Sequence, residues 1–203
     1  MRSAPTALAV ALAVTAVARA ADPPPSPQAD EAIALCERSR EPGDPDEQRR
    51  LRERGLALAE QAVTADDHDP RAHFAVFCNV GSEMQAAGLS PRNLVAVRRL
   101  RREIDRTVAL APHWSDALFA KGRLLLELPR VMGGDAVEGE RLLREALRID
   151  PDYVNARLRL AQALAARGAH AEAQAEARRA LASAERKGDH DGAAEARKLL
   201  ETP

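Results

Sequence analysis

The chain has 203 residues, a formal net charge of −1 and an aromatic content of only 2%. A near-neutral chain lacks the strongly basic surface needed to neutralise nucleic-acid phosphates, which excludes a nucleic-acid binder. Abundant Ala, Leu, Arg and Glu favour helices and leave little β-branched and aromatic material for sheets.

Taken in chain order, Arg2 gives a short positive start and Ala7 to Val17 is an apolar run of Ala, Leu and Val. That run is shorter than the roughly 20 residues a bilayer-spanning helix needs. Ala18-Arg19-Ala20 then provides a small-x-small cleavage signature, followed by the rigid Asp22-Pro23-Pro24-Pro25-Ser26-Pro27. Residues 1–20 are read as a secretory signal peptide, with an uncleaved anchor as the alternative, and residues 21–28 as a Pro-rich linker. The expected location is the periplasm or the outside of the cell. No Cys stands at the cleavage point to carry a lipid, and no second long apolar stretch follows.

Apolar residues then recur at spacings of three and four, which predicts helices over 29–40, 46–66, 71–87, 91–110, 113–128, 135–149, 152–167, 170–187 and 189–201. Residues 29–66 form a diverged helical repeat or cap. Residues 67–203 form a repeat region ending in a capping helix. Pro70, Pro112 and Pro151 each close a helical pattern, 42 and 39 residues apart, and five residues beyond each stands a small residue, Ala75, Ala117 and Ala156. Such a period marks stacked helix pairs, with each Pro as a joint. Gly168 and Gly188 stand where helix C-termini need a left-handed residue, and Asp135 and Asp189 where the next helices need a cap. Cys36 and Cys78 fall in helices expected to be neighbours. They are a candidate disulfide if their Cα atoms come within about 7 Å, and otherwise two small buried hydrophobes.

On these residues the C-terminal half resembles the tetratricopeptide repeat family. In the repeat from Val154 to about Lys187, the family's alternating small and large positions fall on Leu160, Ala161, Leu164, Ala173, Ala177 and Ala180. The preceding repeat places Leu118, Gly122, Leu125, Leu143, Ala146 and Pro151 in pattern and departs at Lys121 and at Gly139, where the family prefers an apolar residue and Ala. The repeat from His73 keeps Val76, Val80, Ile104 and Pro112 but carries Asn79 and Glu83 in place of apolar residues. Insertions at 87–93 and at Leu128 to Asp135 both fall between the two helices of a pair, so both project from one edge. The second is similar to a loop of exported bacterial members, including TatT-like proteins linked to TRAP transporters.

The resemblance implies an all-α fold, a right-handed superhelical stack of antiparallel helix pairs whose first helices line a concave face. Its inward positions here are Phe74, Phe77, Gly81 and Met84, then Asp116, Phe119, Arg123 and Leu126, then Asn155, Leu158 and Gln162. An apolar groove of that kind suits an envelope protein or peptide, or an apolar small ligand. Membrane association is expected only through a partner. The implied role is a non-catalytic periplasmic adaptor. The alternative is a TatT-like small-molecule-binding component of a transport system, favoured by a closed cavity under the loop at 129–134. The family's Lys, Asn and Arg clamp for a terminal carboxylate has no Lys here, and Asn155 and Arg159 alone do not form it.

Chemistry has little to build on. The histidines, His68, His73, His113, His170 and His190, show no metal-ligand spacing, so neither metal nor cofactor is expected. Gly133-Gly134-Asp135 reads as a tight turn with a helix cap or as an anion nest. Arg98, Arg99, Arg101 and Arg102 read as a solvated helix face or as a surface for an acidic partner. No nucleophile with a positioned base is identifiable.

Overall fold

The computed structural model describes residues 22–87 and 94–201. The signal peptide expected over 1–20 and most of the insertion at 87–93 lie outside the described residues. Nine α-helices and no strand occur among the described residues: α1 (Pro27–Arg38), α2 (Pro45–Ala65), α3 (Pro70–Ala87), α4 (Leu94–Leu110), α5 (Ser115–Glu127), α6 (Ala136–Ile149), α7 (Val154–Ala166), α8 (His170–Lys187) and α9 (His190–Glu201). No described helix is long and apolar enough to cross a membrane.

The helix ends follow from local chemistry. Asp44 accepts from the Asp46 and Glu47 amides at 2.8 and 3.0 Å to cap α2, and Asp135 accepts from Val137 and Glu138 at 3.1 Å each to cap α6. These bonds satisfy amides that the helix itself leaves without partners. At their other ends α7 and α8 run into Gly168 and Gly188, with φ of 83° and 68°, which lets the chain reverse.

Proline plays two parts. Pro27, Pro45 and Pro70 open helices, as its fixed φ and missing N–H allow. Pro112 and Pro151 instead sit in turns closed by Trp114 N–H to the Ala111 carbonyl (3.1 Å) and Tyr153 N–H to the Asp150 carbonyl (3.2 Å). Helices α5 and α7 therefore begin two residues later than the expected starts at 113 and 152.

The helices pair as α1/α2, α3/α4, α5/α6 and α7/α8, with α9 packed on α7 and α8. Ala75, Ala117 and Ala156, the small residues five beyond each Pro, are all fully buried, as a close helix crossing demands. Gly139 has its own reason. A Cβ there would lie 2.9 Å from the Gly122 carbonyl oxygen of α5 and 2.8 Å from Leu126 Cγ, so α5 and α6 approach too closely for Ala.

The N-terminal region repeats this arrangement. Helix α1 lies beside α3 with α2 behind, so residues 29–66 stack as a helix pair and α1 forms a wall of the groove without filling it. Cys36 of α1 and Cys78 of α3 are bridged, with their Cα atoms 6.1 Å apart. The stretch expected as a linker at 21–28 is docked over its described part. Pro23 is buried, its carbonyl accepts from Arg71 Nε at 3.0 Å, and Pro27 already belongs to α1.

Candidate binding groove

The first helices of successive pairs face a common concavity with a volume of about 560 Å³. Its lining holds all five aromatic residues of the chain, Phe74, Phe77, Trp114, Phe119 and Tyr153. Apart from Cys36, the buried hydrophobic side chains elsewhere are Ala, Leu, Val and Ile, so Phe, Trp and Tyr are reserved for this face.

Their placement repeats. Phe74 of α3 packs 4.7 Å from Trp114 at the entry to α5, and Phe119 of α5 packs 5.0 Å from Tyr153 at the entry to α7, both tilted. Phe77 adds a third ring 6.0 Å from Phe74. Tilted rings at these separations attract beyond the area they bury. Trp114 and Tyr153 occupy the N-cap positions of α5 and α7 and make no side-chain cap. Where Ser, Asp or Asn would stabilise the helix by about 1 kcal/mol, the chain places rings that knit one pair to the next.

Charges border the rings. The Arg71 guanidinium lies 5.4 Å from the centre of the Trp114 ring and pairs with Asp30 of α1 at 2.8 Å. Arg159 of α7 binds Glu127 of α5, and Glu127 also lies 3.7 Å from Arg123. Gln162 Nε2 donates to Glu195 of α9 at 2.7 Å. Burial, reinforced by the Asp116 carboxylate, pushes the Tyr153 phenol far above its ordinary pKa, so it stays neutral. A second cavity of about 410 Å³ opens beside the groove, sharing Arg40, Phe77 and Arg123 with it and lined further by Gly81, Met84, Gln85, Leu100, Leu124, Glu127 and Leu128.

Of the residues assigned to the concave face, Phe74, Phe77, Asp116, Phe119, Arg123, Asn155 and Leu158 meet in the groove, and Gly81 and Met84 line the side cavity. Two do not reach either lining. Leu126 packs over Gly139 into the core between α5, α6 and α7, because the absent side chain at 139 leaves a slot that Leu126 fills. Gln162 is spent on its bonds with Arg159 and Glu195. The groove is also less apolar than expected, since Asp30, Glu37, Arg40, Arg71, Arg159 and Glu195 join its lining. The entry-site rings carried a readable signal: Trp114 and Tyr153 each stand two residues after a repeat-closing Pro.

Other candidates resolve into structural roles. At Gly133-Gly134-Asp135 the three amides donate to the carbonyls of Arg130, Pro129 and Leu125 at 2.9, 3.0 and 3.0 Å, leaving none for an anion. In the basic run, Arg99 pairs with Glu60 at 2.6 Å and Arg101 reaches the Met132 carbonyl at 3.5 Å, while Arg98 and Arg102 project into solvent. His73 is buried between Glu103 and Asp67. No group of three metal-ligating side chains occurs among the described residues.

Residues 131–197 match the model of the tetratricopeptide repeat family. Among solved structures the chain is similar to TTC0263, a thermophilic TPR protein of Thermus thermophilus, at 18% identity over 85% of this chain and 90% of that one, with a TM-score of 0.54. It also matches the MamA protein, at 13% identity over 80% of this chain and 95% of that one, with a TM-score of 0.38. No curated protein matches the chain. The fold is thus a tetratricopeptide-like helical solenoid, an architecture that serves generally as a scaffold for protein interactions.

Proposed function

We propose that this protein is a non-catalytic adaptor of the cell envelope, exported to the periplasm or secreted, that holds an envelope protein or peptide in its concave groove. One observation carries the reading: every aromatic residue of the chain lines that groove. Aromatic side chains give large contact areas at little cost in rotamer entropy, and they dominate the energetics of interfaces. Ring-to-ring packing from pair to pair holds the surface ready, so binding orders little that was free.

Export is supported by the leader-like residues 1–20 and by the Cys36–Cys78 bridge, since such bonds persist in oxidising compartments. Any membrane association would run through the partner.

A photoreactive residue in place of Phe119, followed by mass spectrometry of the adducts formed in cells, tests the adaptor reading. The expected product is a protein or peptide adduct on mature chains beginning near Ala21. Self-crosslinks alone, or chains that keep residues 1–20 in the cytoplasm, would overturn it.

A second reading is favoured by the cavity lined by Met84, Leu100, Leu124 and Leu128. It is of the size and character that take small ligands, and Leu128 borders it where the loop at 129–134 begins. In this reading the chain is a small-molecule-binding component of a transport system, of the TatT-like kind.

A further inference from the structure

The side cavity differs from the groove in its lining, which is mostly apolar, with Arg40 and Arg123 as its cations and Gln85 and Glu127 as its other polar groups. Arg40, from the turn after α1, and Arg123, from α5, belong to the linings of both spaces, as does Phe77. Arg40 forms no ion pair among the described residues. Its Nη2 donates to the Cys78 carbonyl at 3.3 Å and lies 3.5 Å from the Cys78 sulfur, leaving most of its donors without an acceptor among the described residues and open to solvent or a ligand. Among the described residues Arg123 has one ion-pair partner, Glu127, at 3.7 Å, and Glu127 is also held by Arg159.

The side cavity is therefore electrically unbalanced. Within its own lining Arg40 and Arg123 face one carboxylate, Glu127, which leaves one uncompensated positive charge there, although the groove lining beyond is balanced. Partial burial and the like charge of Arg123 lower the pKa of Arg40, while Glu37 opposes them, although Arg40 keeps contact with solvent. A pair of this kind is relieved by an anion accepting hydrogen bonds from both forks. Behind it the cavity offers Gly81, Met84, Leu100, Leu124 and Leu128. Met adapts to irregular apolar ligands, and Gly81 leaves the floor without a side chain.

We infer that the side cavity binds a free monocarboxylate carrying an apolar chain, with the carboxylate held between Arg40 and Arg123 and the chain buried against Met84, Leu100, Leu124 and Leu128. The inference rests on the small-molecule reading of this cavity and names its ligand class. A single net positive charge selects a monoanion over a dianion. The apolar wall selects a molecule with a hydrocarbon tail over a small acid such as acetate.

Isothermal titration of the mature protein with decanoate and decyltrimethylammonium below their micellar ranges, and with decanol below its solubility limit, tests it. Decanoate is expected to bind about tenfold or more tighter than decanol, the effect of one charge-assisted hydrogen bond, and the cation weakest of the three. Arg40→Gln should bring decanoate and decanol to equal affinity, whereas Arg40→Lys, which keeps the charge, retains a preference. Arg123→Gln provides the same comparison should loss of the bond to Cys78 destabilise the first variant. Equal binding of decanoate and decanol to the unaltered protein would overturn the charge assignment while leaving the cavity as a ligand site. Binding of none of the three would remove the cavity reading as well.

Discussion

Among the described residues between Pro27 and Leu110 five buried polar side chains, Ser39, His73, Asn79, Ser82 and Thr107, stand inside the helix stack, whereas from Ser115 to Glu201 only Ser183 is polar and buried. The C-terminal pairs close on alternating Ala and Leu, with Leu143, Ala156, Leu160, Leu164 and Ala173 in one continuous cluster. The N-terminal pairs are held by individual ties. Cys36 is bonded to Cys78, the Ser39 and Ser82 hydroxyls meet at 2.9 Å, and Asn79 Nδ2 donates to the carbonyls of Ala32 and Ala75 at 3.0 Å each. The family model covers residues 131–197, within the half that keeps the apolar pattern. Departure from a repeat consensus is here a replacement of interchangeable apolar contacts by specific covalent and hydrogen-bonded ones. Apolar layers tolerate substitution at conserved volume, whereas a buried polar network does not.

The covalent tie gives the largest break in the comparison. The Cys36–Cys78 bridge closes a separation of 42 residues, and constraining a loop of that length in the unfolded chain is worth about 4 kcal/mol. Replacing both cysteines by Ala should lower stability by about that amount and do so unevenly. Hydrogen exchange would quicken in α1 and α3 and stay nearly unchanged in α7 to α9. Uniform loss of protection along the stack would show that the two halves are one cooperative unit and that the contrast has no energetic meaning.

A smaller break is available at Gly55. A Cβ there would lie 2.2 Å from Asn79 Oδ1, and Asn79 is fully buried with its amide nitrogen already committed on both sides. Gly55→Ala should therefore cost about 2–3 kcal/mol by overpacking. The same change combined with Asn79→Ala should cost less than the two single changes added together, because the second makes room for the first. Urea titration of the four proteins measures this, and simple additivity would mean that Gly55 and Asn79 do not constrain each other.

This contrast also explains what was legible in the sequence. Helix positions were readable throughout, since amphipathic spacing and proline breaks do not depend on how the pairs are joined. The groove was readable where the consensus register places a residue on a first helix, as for Phe74, Phe77, Phe119 and Leu158. It was not readable for Ile33, Glu37 and Arg40, which also line the groove, because residues 29–66 carry no register to align. Trp114 and Tyr153 were missed for a different reason: they lie at helix entries, outside any helical face. Leu126 was misplaced because its direction is decided by a side chain absent from another helix, at Gly139. Asn79 and His73 look like defects in an apolar face, and only the backbone carbonyls and carboxylate brought to them show that they are ties.

His73 gives the smallest effect and the most selective one. Its Nδ1 faces Glu103 of α4 at 2.8 Å and its Nε2 faces the Asp67 carbonyl at 3.0 Å, with the Asp67 carboxylate 3.5 Å away and itself paired with Arg106. Both direct partners are acceptors, so only a ring protonated on both nitrogens satisfies them, and the hydrogen bond to Glu103 raises the His73 pKa against the opposing effect of burial. A pKa raised in the folded state gives stability that is complete below the unfolded value, about 6.5, and is lost as pH rises through the folded one. Unfolding midpoints should therefore fall as pH is raised from 6 towards the alkaline side, with a slope no steeper than about 1.4 kcal/mol per pH unit, the limit for one linked proton. In His73→Gln this dependence should flatten. Exchange protection in α3 and α4 should follow the pH while that in α7 and α8, which pack no histidine into their core, does not. A slope of opposite sign, or one unchanged in the variant, would mean that the ring is neutral in the folded chain and that Glu103 is held by something else.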